Sequence, residues 1–76
     1  MRQLTDGILR RLVGQEAVLI EKSRGETLAR VGTIERDVDE YKLQPEHSGG
    51  GYCPLDEYHH GYLLVEKEQG FSIYKF

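Results

Sequence analysis

Residues 17–36 read AVLIEKSRGETLARVGTIER, and this stretch decides the fold. It begins as a β-branched, apolar run, passes through the turn formers Ser23, Arg24, Gly25 and Glu26, and continues as a segment that alternates sides. The whole predicts a β-hairpin. Gly32 stands inside the second strand with no side chain to pack, and such a glycine marks a bulge or sharp bend through which a small sheet curls.

On the N-terminal side of the hairpin, Leu4, Ile8, Leu9 and Leu12 recur at helical spacing. Thr5 is placed to cap, Asp6 lies in the first turn, and Gly14 supplies a left-handed stop after Val13, so a short helix is predicted over 6–13. Gly7 weakens it by about 1 kcal/mol relative to Ala, which leaves docking of the apolar stripe to stabilise it. On the C-terminal side, residues 37–40 form an acidic turn and 41–44 a short strand halted by Pro45. Residues 46–61, EHSGGGYCPLDEYHHG, carry turn formers without a sustained period and read as a long loop. YLLVEK at 62–67 and FSIYKF at 71–76 read as two strands joined around Glu68, Gln69 and Gly70. The predicted architecture is one mainly β domain over 1–76, a short N-terminal α-helix followed by a five-stranded, strongly bent antiparallel sheet closing into a small barrel.

A chain of 76 residues buries only about 60–65% of the surface its unfolded form exposes, so the core is thin. One cysteine rules out an intrachain disulfide as a staple, and self-association is the remaining source of stability. The lone Cys53 and the lack of any long apolar run favour a cytoplasmic protein, neither exported nor inserted in a membrane. The formal net charge of −3 argues against a protein that coats nucleic acid by counterion release. The N-terminal segment is nevertheless basic, with Arg2, Arg10 and Arg11 against the single acid Asp6.

The order of key residues resembles the Sm-like family, whose fold is an N-terminal helix followed by a strongly bent five-stranded sheet of SH3-like shape. Its first signature falls on Gly14, Gly25, Gly32, Asp39, Tyr41, Lys42 and Leu43, and its second on Gly70, Ile73 and Phe76. The resemblance implies a ring in which the last strand of one subunit pairs with the fourth of the next, an interface built from Tyr62, Leu64, Phe71, Ile73 and Phe76. It also implies single-stranded RNA or nucleotide at a pore lined by Asp39, Tyr41, Lys42, Gln69 and Gly70. Lys42 stands where the family commonly has asparagine and Gln69 where it has arginine. A lysine lacks the acceptor that asparagine offers to a base.

Other constellations point away from catalysis. His47, Cys53, His59 and His60 share the loop, yet no pair has the spacing that pins two zinc ligands on a rigid turn, so no metal and no cofactor is expected and the four read as solvated loop residues. A nucleophilic Cys53 would need an activating histidine held in an enclosed site, for which so small a sheet has little volume. The adjacent carboxylates Asp39 with Glu40 and Asp56 with Glu57 read as solvated charges, and HSGGGY at 47–52 lacks the lysine and helix of a phosphate loop. A non-enzymatic binding module follows. Its alternative to the RNA-binding ring is an acidic protein-interaction domain or inhibitor acting through the loop that carries Tyr52 and Tyr58, with Tyr62 beside it.

Overall fold

The computed structural model describes residues 2–45, 53–55 and 61–76, and it is mainly β. Its one helix, α1 (Asp6–Leu12), starts where the Thr5 hydroxyl accepts a hydrogen bond from the Ile8 N–H at 3.2 Å, and it ends ahead of Gly14 at φ 92°. The five long strands fall on the expected stretches: β2 (Glu16–Ser23), β3 (Glu26–Asp37), β4 (Glu40–Pro45), β6 (Gly61–Lys67) and β7 (Gly70–Lys75). Two two-residue strands, β1 (Arg2–Gln3) and β5 (Cys53–Pro54), bring the total to seven in a single sheet ordered β1-β7-β6-β2-β3-β4-β5.

The sheet is open, which corrects the expected five-stranded closed barrel. The reason lies in the connectivity. After β5 the chain returns to the far side of β2, so β6 pairs with β2 from Ala17 to Glu21 and β7 is added outside it. The two ends of the sheet are therefore β1 and β5, and no ladder joins them among the described residues.

The sharp bend falls at Gly32. Residues 26–33 of β3 pair with β2 while 32–37 pair with β4, so Gly32 belongs to both ladders, opposite Ala17 on one side and Pro45 on the other. A Cβ there would stand 2.3 Å from the Gln44 carbonyl oxygen and 2.8 Å from its carbon. Only glycine lets the two backbones approach this closely. Gly61 meets a similar constraint at the start of β6, at φ 145° with its Cβ position 2.2 Å from the Ile20 carbonyl oxygen.

Leu19, Ile34, Leu43, Leu63 and Val65 are wholly buried on the concave side of this bend, and Tyr41, Tyr74, and Leu9 and Leu12 of α1 close the core around them. Each of these large aliphatic side chains contributes about 1.5–3 kcal/mol when fully buried. Cys53 corrects an expectation: it is 2% exposed, paired in β5 opposite Leu43, and receives the Arg30 guanidinium at 3.2 Å on its sulfur. Leu55 beside it is equally buried, so part of the predicted loop is a core element. His47, Tyr52, Tyr58, His59 and His60 lie outside the described residues. No helix among the described residues is long and apolar enough to cross a membrane.

Candidate interaction surface

Strand alternation sends Ala17, Leu19, Leu63, Val65 and Tyr74 into the core, so their neighbours Val18, Ile20, Tyr62, Leu64 and Ile73 lie on the opposite, outer face. The register then aligns these residues across strands. Ile73 of β7 stands opposite Leu64 of β6, Leu64 opposite Val18 of β2, and Val18 opposite Val31 of β3. An unbroken apolar row thus crosses four strands. Beside it runs a second row, Lys75, Tyr62, Ile20 and Ala29, in which the Lys22 ammonium sits 5.7 Å from the centre of the Tyr62 ring. On the other flank Phe71 faces Glu66.

An antiparallel sheet with one wet face ordinarily carries polar side chains on it. Here Phe71 is 61% exposed, Val31 49% and Ile73 43%, and a hollow of about 60 Å³ lies among Val18, Val31, Leu64 and Phe71, rimmed by Glu16 and Glu66. Direct cross-strand pairs of this kind normally stabilise a sheet by about 0.2–1 kcal/mol each, but large residues left this open retain about half of their cost of hydration.

The residues expected to bind RNA are arranged differently. Asp39 is exposed in the β3–β4 turn, and Gln69 and Gly70 are exposed at the β6–β7 turn. β3 and β6 run in the same direction with β2 between them, so both turns lie at one end of the sheet. Lys42 is half-buried, its ammonium 3.6 Å from the Asp37 carboxylate. Tyr41 corrects the sequence reading: at 2% exposure it is a core residue, with the Arg36 guanidinium 5.7 Å from its ring centre, and it has no face left for a base to stack on.

The basic residues of the N-terminal segment separate as well. Arg10 and Arg11 lie in the last turn of α1, where cations complement the helix C-terminus, and Arg10 is 3.5 Å from the Asp6 carboxylate. Arg2 sits apart in β1, opposite Tyr74 of β7.

Of the residues expected at an oligomer interface, Phe71 and Ile73 are exposed, Tyr62 and Leu64 are half-buried on the outer face, and Phe76 packs against the core. The fourth long strand, β6, is hydrogen-bonded on both sides within the chain, by β2 and by β7. A neighbour's last strand could pair with it only if one of these ladders opened. Val18, Ile20 and Val31 were not singled out by the sequence reading, although the unbroken apolar run at 17–20 is the signature of a strand covered on both faces. No group of three or more His, Cys, Asp or Glu is placed to hold a metal among the described residues. No protein-family model, curated protein or solved structure matches this chain.

Proposed function

We propose that this domain is a non-enzymatic binding module that engages another polypeptide across the outer face of its sheet. The observation that carries this reading is the apolar row Ile73, Leu64, Val18 and Val31, exposed at both of its ends. Exposed apolar residues scattered singly need no explanation, whereas contiguous ones mark interaction surfaces. Charge supports a protein over a nucleic acid as the partner. The chain is acidic overall, and the carboxylates of Glu16 and Glu66 border the apolar row, where they repel phosphate. The Sm-like ring with RNA at its pore has weaker support, since Tyr41 is in the core and β6 has no open edge.

A photo-crosslinking residue placed at position 31 tests the reading. In native extract it should capture a protein that a crosslinker at Arg24, in the β2–β3 turn, does not. Identical capture from both positions, or none from position 31, would count against the outer face. Binding of short oligonucleotides at low salt, where the electrostatic contribution is largest, would restore the RNA reading.

A further inference from the structure

The outer edge of β7 is open for half its length. β1 runs parallel to it and pairs with Tyr74 and Lys75, a register that in a parallel ladder takes the Ile73 carbonyl with the Arg2 N–H and leaves the Phe71 N–H and C=O and the Ile73 N–H beyond its reach. The direction of their backbone groups follows from one hydrogen bond. The Phe76 N–H donates to the Gly61 carbonyl at 3.3 Å, and in an antiparallel ladder the bonded pairs alternate, so Tyr74, Ser72 and Gly70 bond to β6. Phe71, Ile73 and Lys75 therefore point their N–H and C=O groups away from β6. At Lys75 this is seen directly, since its carbonyl accepts the Leu4 N–H at 2.7 Å.

Beside this open edge lies a groove of about 480 Å³ lined by Arg2, Lys67, Phe71, Ser72, Ile73 and Tyr74. Its lining holds two cations and no carboxylate, on a protein whose net charge is −3. We infer that the edge of β7 at 70–73 is a strand-addition site for an extended, acidic segment of a partner protein. The inference rests on the reading of the domain as a protein-binding module and names what one part of its surface takes. Main-chain bonds to the Phe71 N–H and C=O and to the Ile73 N–H supply the attachment, and acidic side chains of the added strand meet Arg2 and Lys67. A second copy of this chain fits the edge less well. Antiparallel pairing of two β7 strands would bring each copy's basic groove against the other's, and like charges facing each other across a strand pair are destabilising.

The test is selection of binders from a random peptide display library on the immobilised full chain. Binders enriched in acidic residues alternating with apolar ones are expected. Arg2→Glu combined with Lys67→Glu should weaken them about tenfold, the size of two partly screened ion pairs. Ile73→Pro removes an outward N–H without touching the β6 ladder and should also abolish them, with far-UV circular dichroism checking that it folds; if it unfolds, the charge-reversal variant decides. Arg24→Glu, a charge reversal in the β2–β3 turn away from both the edge and the apolar row, should leave these binders unaffected. Binders without acidic excess, binders indifferent to both edge variants, or no enrichment at all would overturn the inference. Loss with Val31→Lys alone would place the peptide on the outer face, which sinks the edge site while leaving the broader protein-binding reading intact.

Discussion

Gly32 is the position where one added methyl group should do the most damage. Its Cβ would approach the Gln44 carbonyl oxygen to 2.3 Å, the Gln44 carbonyl carbon to 2.8 Å and the Leu43 Cγ to 3.0 Å. Two of these atoms belong to the backbone of β4, which is fixed in its ladder from Gly32–Pro45 to Asp37–Glu40, so the neighbour cannot rotate aside as a side chain would. Gly32→Ala must push β4 away or straighten β3 at the bend, and overpacking of this kind costs about 1–3 kcal/mol. Gly32→Val adds two more carbons and should exceed the upper end of that range. A chain of 76 residues has on the order of 4–11 kcal/mol of stability, so the valine variant should lose about a third of it or more. Urea denaturation followed by circular dichroism measures the effect. With a slope of about 1 kcal/mol per molar urea for a domain this small, Gly32→Ala should lower the midpoint by about 1–3 M. Thr33→Ala, next along the same strand and half-buried, is the control and should move it by less than about 1 M. An alanine midpoint indistinguishable from the parent's would show that the strands do not approach closely at Gly32, and the argument for the bend would fail with it.

Gly61→Ala should destabilise by a similar amount, since its Cβ would meet the Ile20 carbonyl oxygen and its φ of 145° is one that an L side chain rarely adopts; the same urea titration reads it. Val38→Asn should raise stability by about 1 kcal/mol, because this exposed, β-branched residue holds φ 55° in the β3–β4 turn, a conformation asparagine tolerates better; an unchanged or lower melting temperature refutes it. Ser72→Pro should unfold the domain or strip β7 from the sheet, because the Ser72 N–H bonds to β6, while Ile73→Pro one residue later should retain the parent's spectrum; a tolerated Ser72→Pro beside a damaging Ile73→Pro would show the edge assignment to be inverted. Cys53→Ser should cost about 1 kcal/mol by placing a hydroxyl in the core, partly offset by the Arg30 guanidinium, and the native thiol should react with Ellman's reagent only as the protein unfolds; rapid labelling in the folded state would contradict its burial.

The helix and the five long strands were legible because each carries a local signal. Thr5 and Gly14 bracket an apolar stripe of helical period, Gly25 punctuates one hairpin and Gly70 the other, and Gly32 interrupts a strand that has every other reason to continue straight. What the sequence did not reveal depends on pairings between distant residues. Arg2 and Gln3 become a strand only because β7 ends beside them, and two residues carry no period of their own. Cys53 and Leu55 sit among turn formers, and their burial follows from Leu43 and Lys42 lying opposite β5. The open sheet follows from the placement of β6, since a chain returning to the far side of β2 puts β7 and β1 at the end of the sheet away from β5. Tyr41 illustrates the limit at a single side chain. Its neighbours Glu40 and Lys42 are polar, which is equally consistent with an aromatic displayed between charges and with one turned inward by alternation; sharing a face with the buried pair Leu43 and Ile34 decides for the core.

The outer face and the open edge meet at Phe71 and Ile73, and that junction links the two binding proposals physically. A strand added beside β7 would place one residue directly opposite Ile73, on the outer face, and so lengthen the apolar row Ile73, Leu64, Val18 and Val31 by one member. The backbone bonds at the edge are indifferent to sequence. Selectivity must then come from the side chains of the added strand, with those on the outer face packing against Ile73 and Phe71, and from the cations of the groove. Cross-strand packing favours β-branched and aromatic residues at such positions, so among selected binders the strongest apolar preference should fall on the residue paired with Ile73. Substituting Ile73 by threonine, which keeps the branched shape and removes apolar area, should relax that one preference and leave the preference for acidic residues unchanged. If instead both preferences weaken together, the charges and the apolar row are not read by the same bound strand, and the face and the edge serve separate partners.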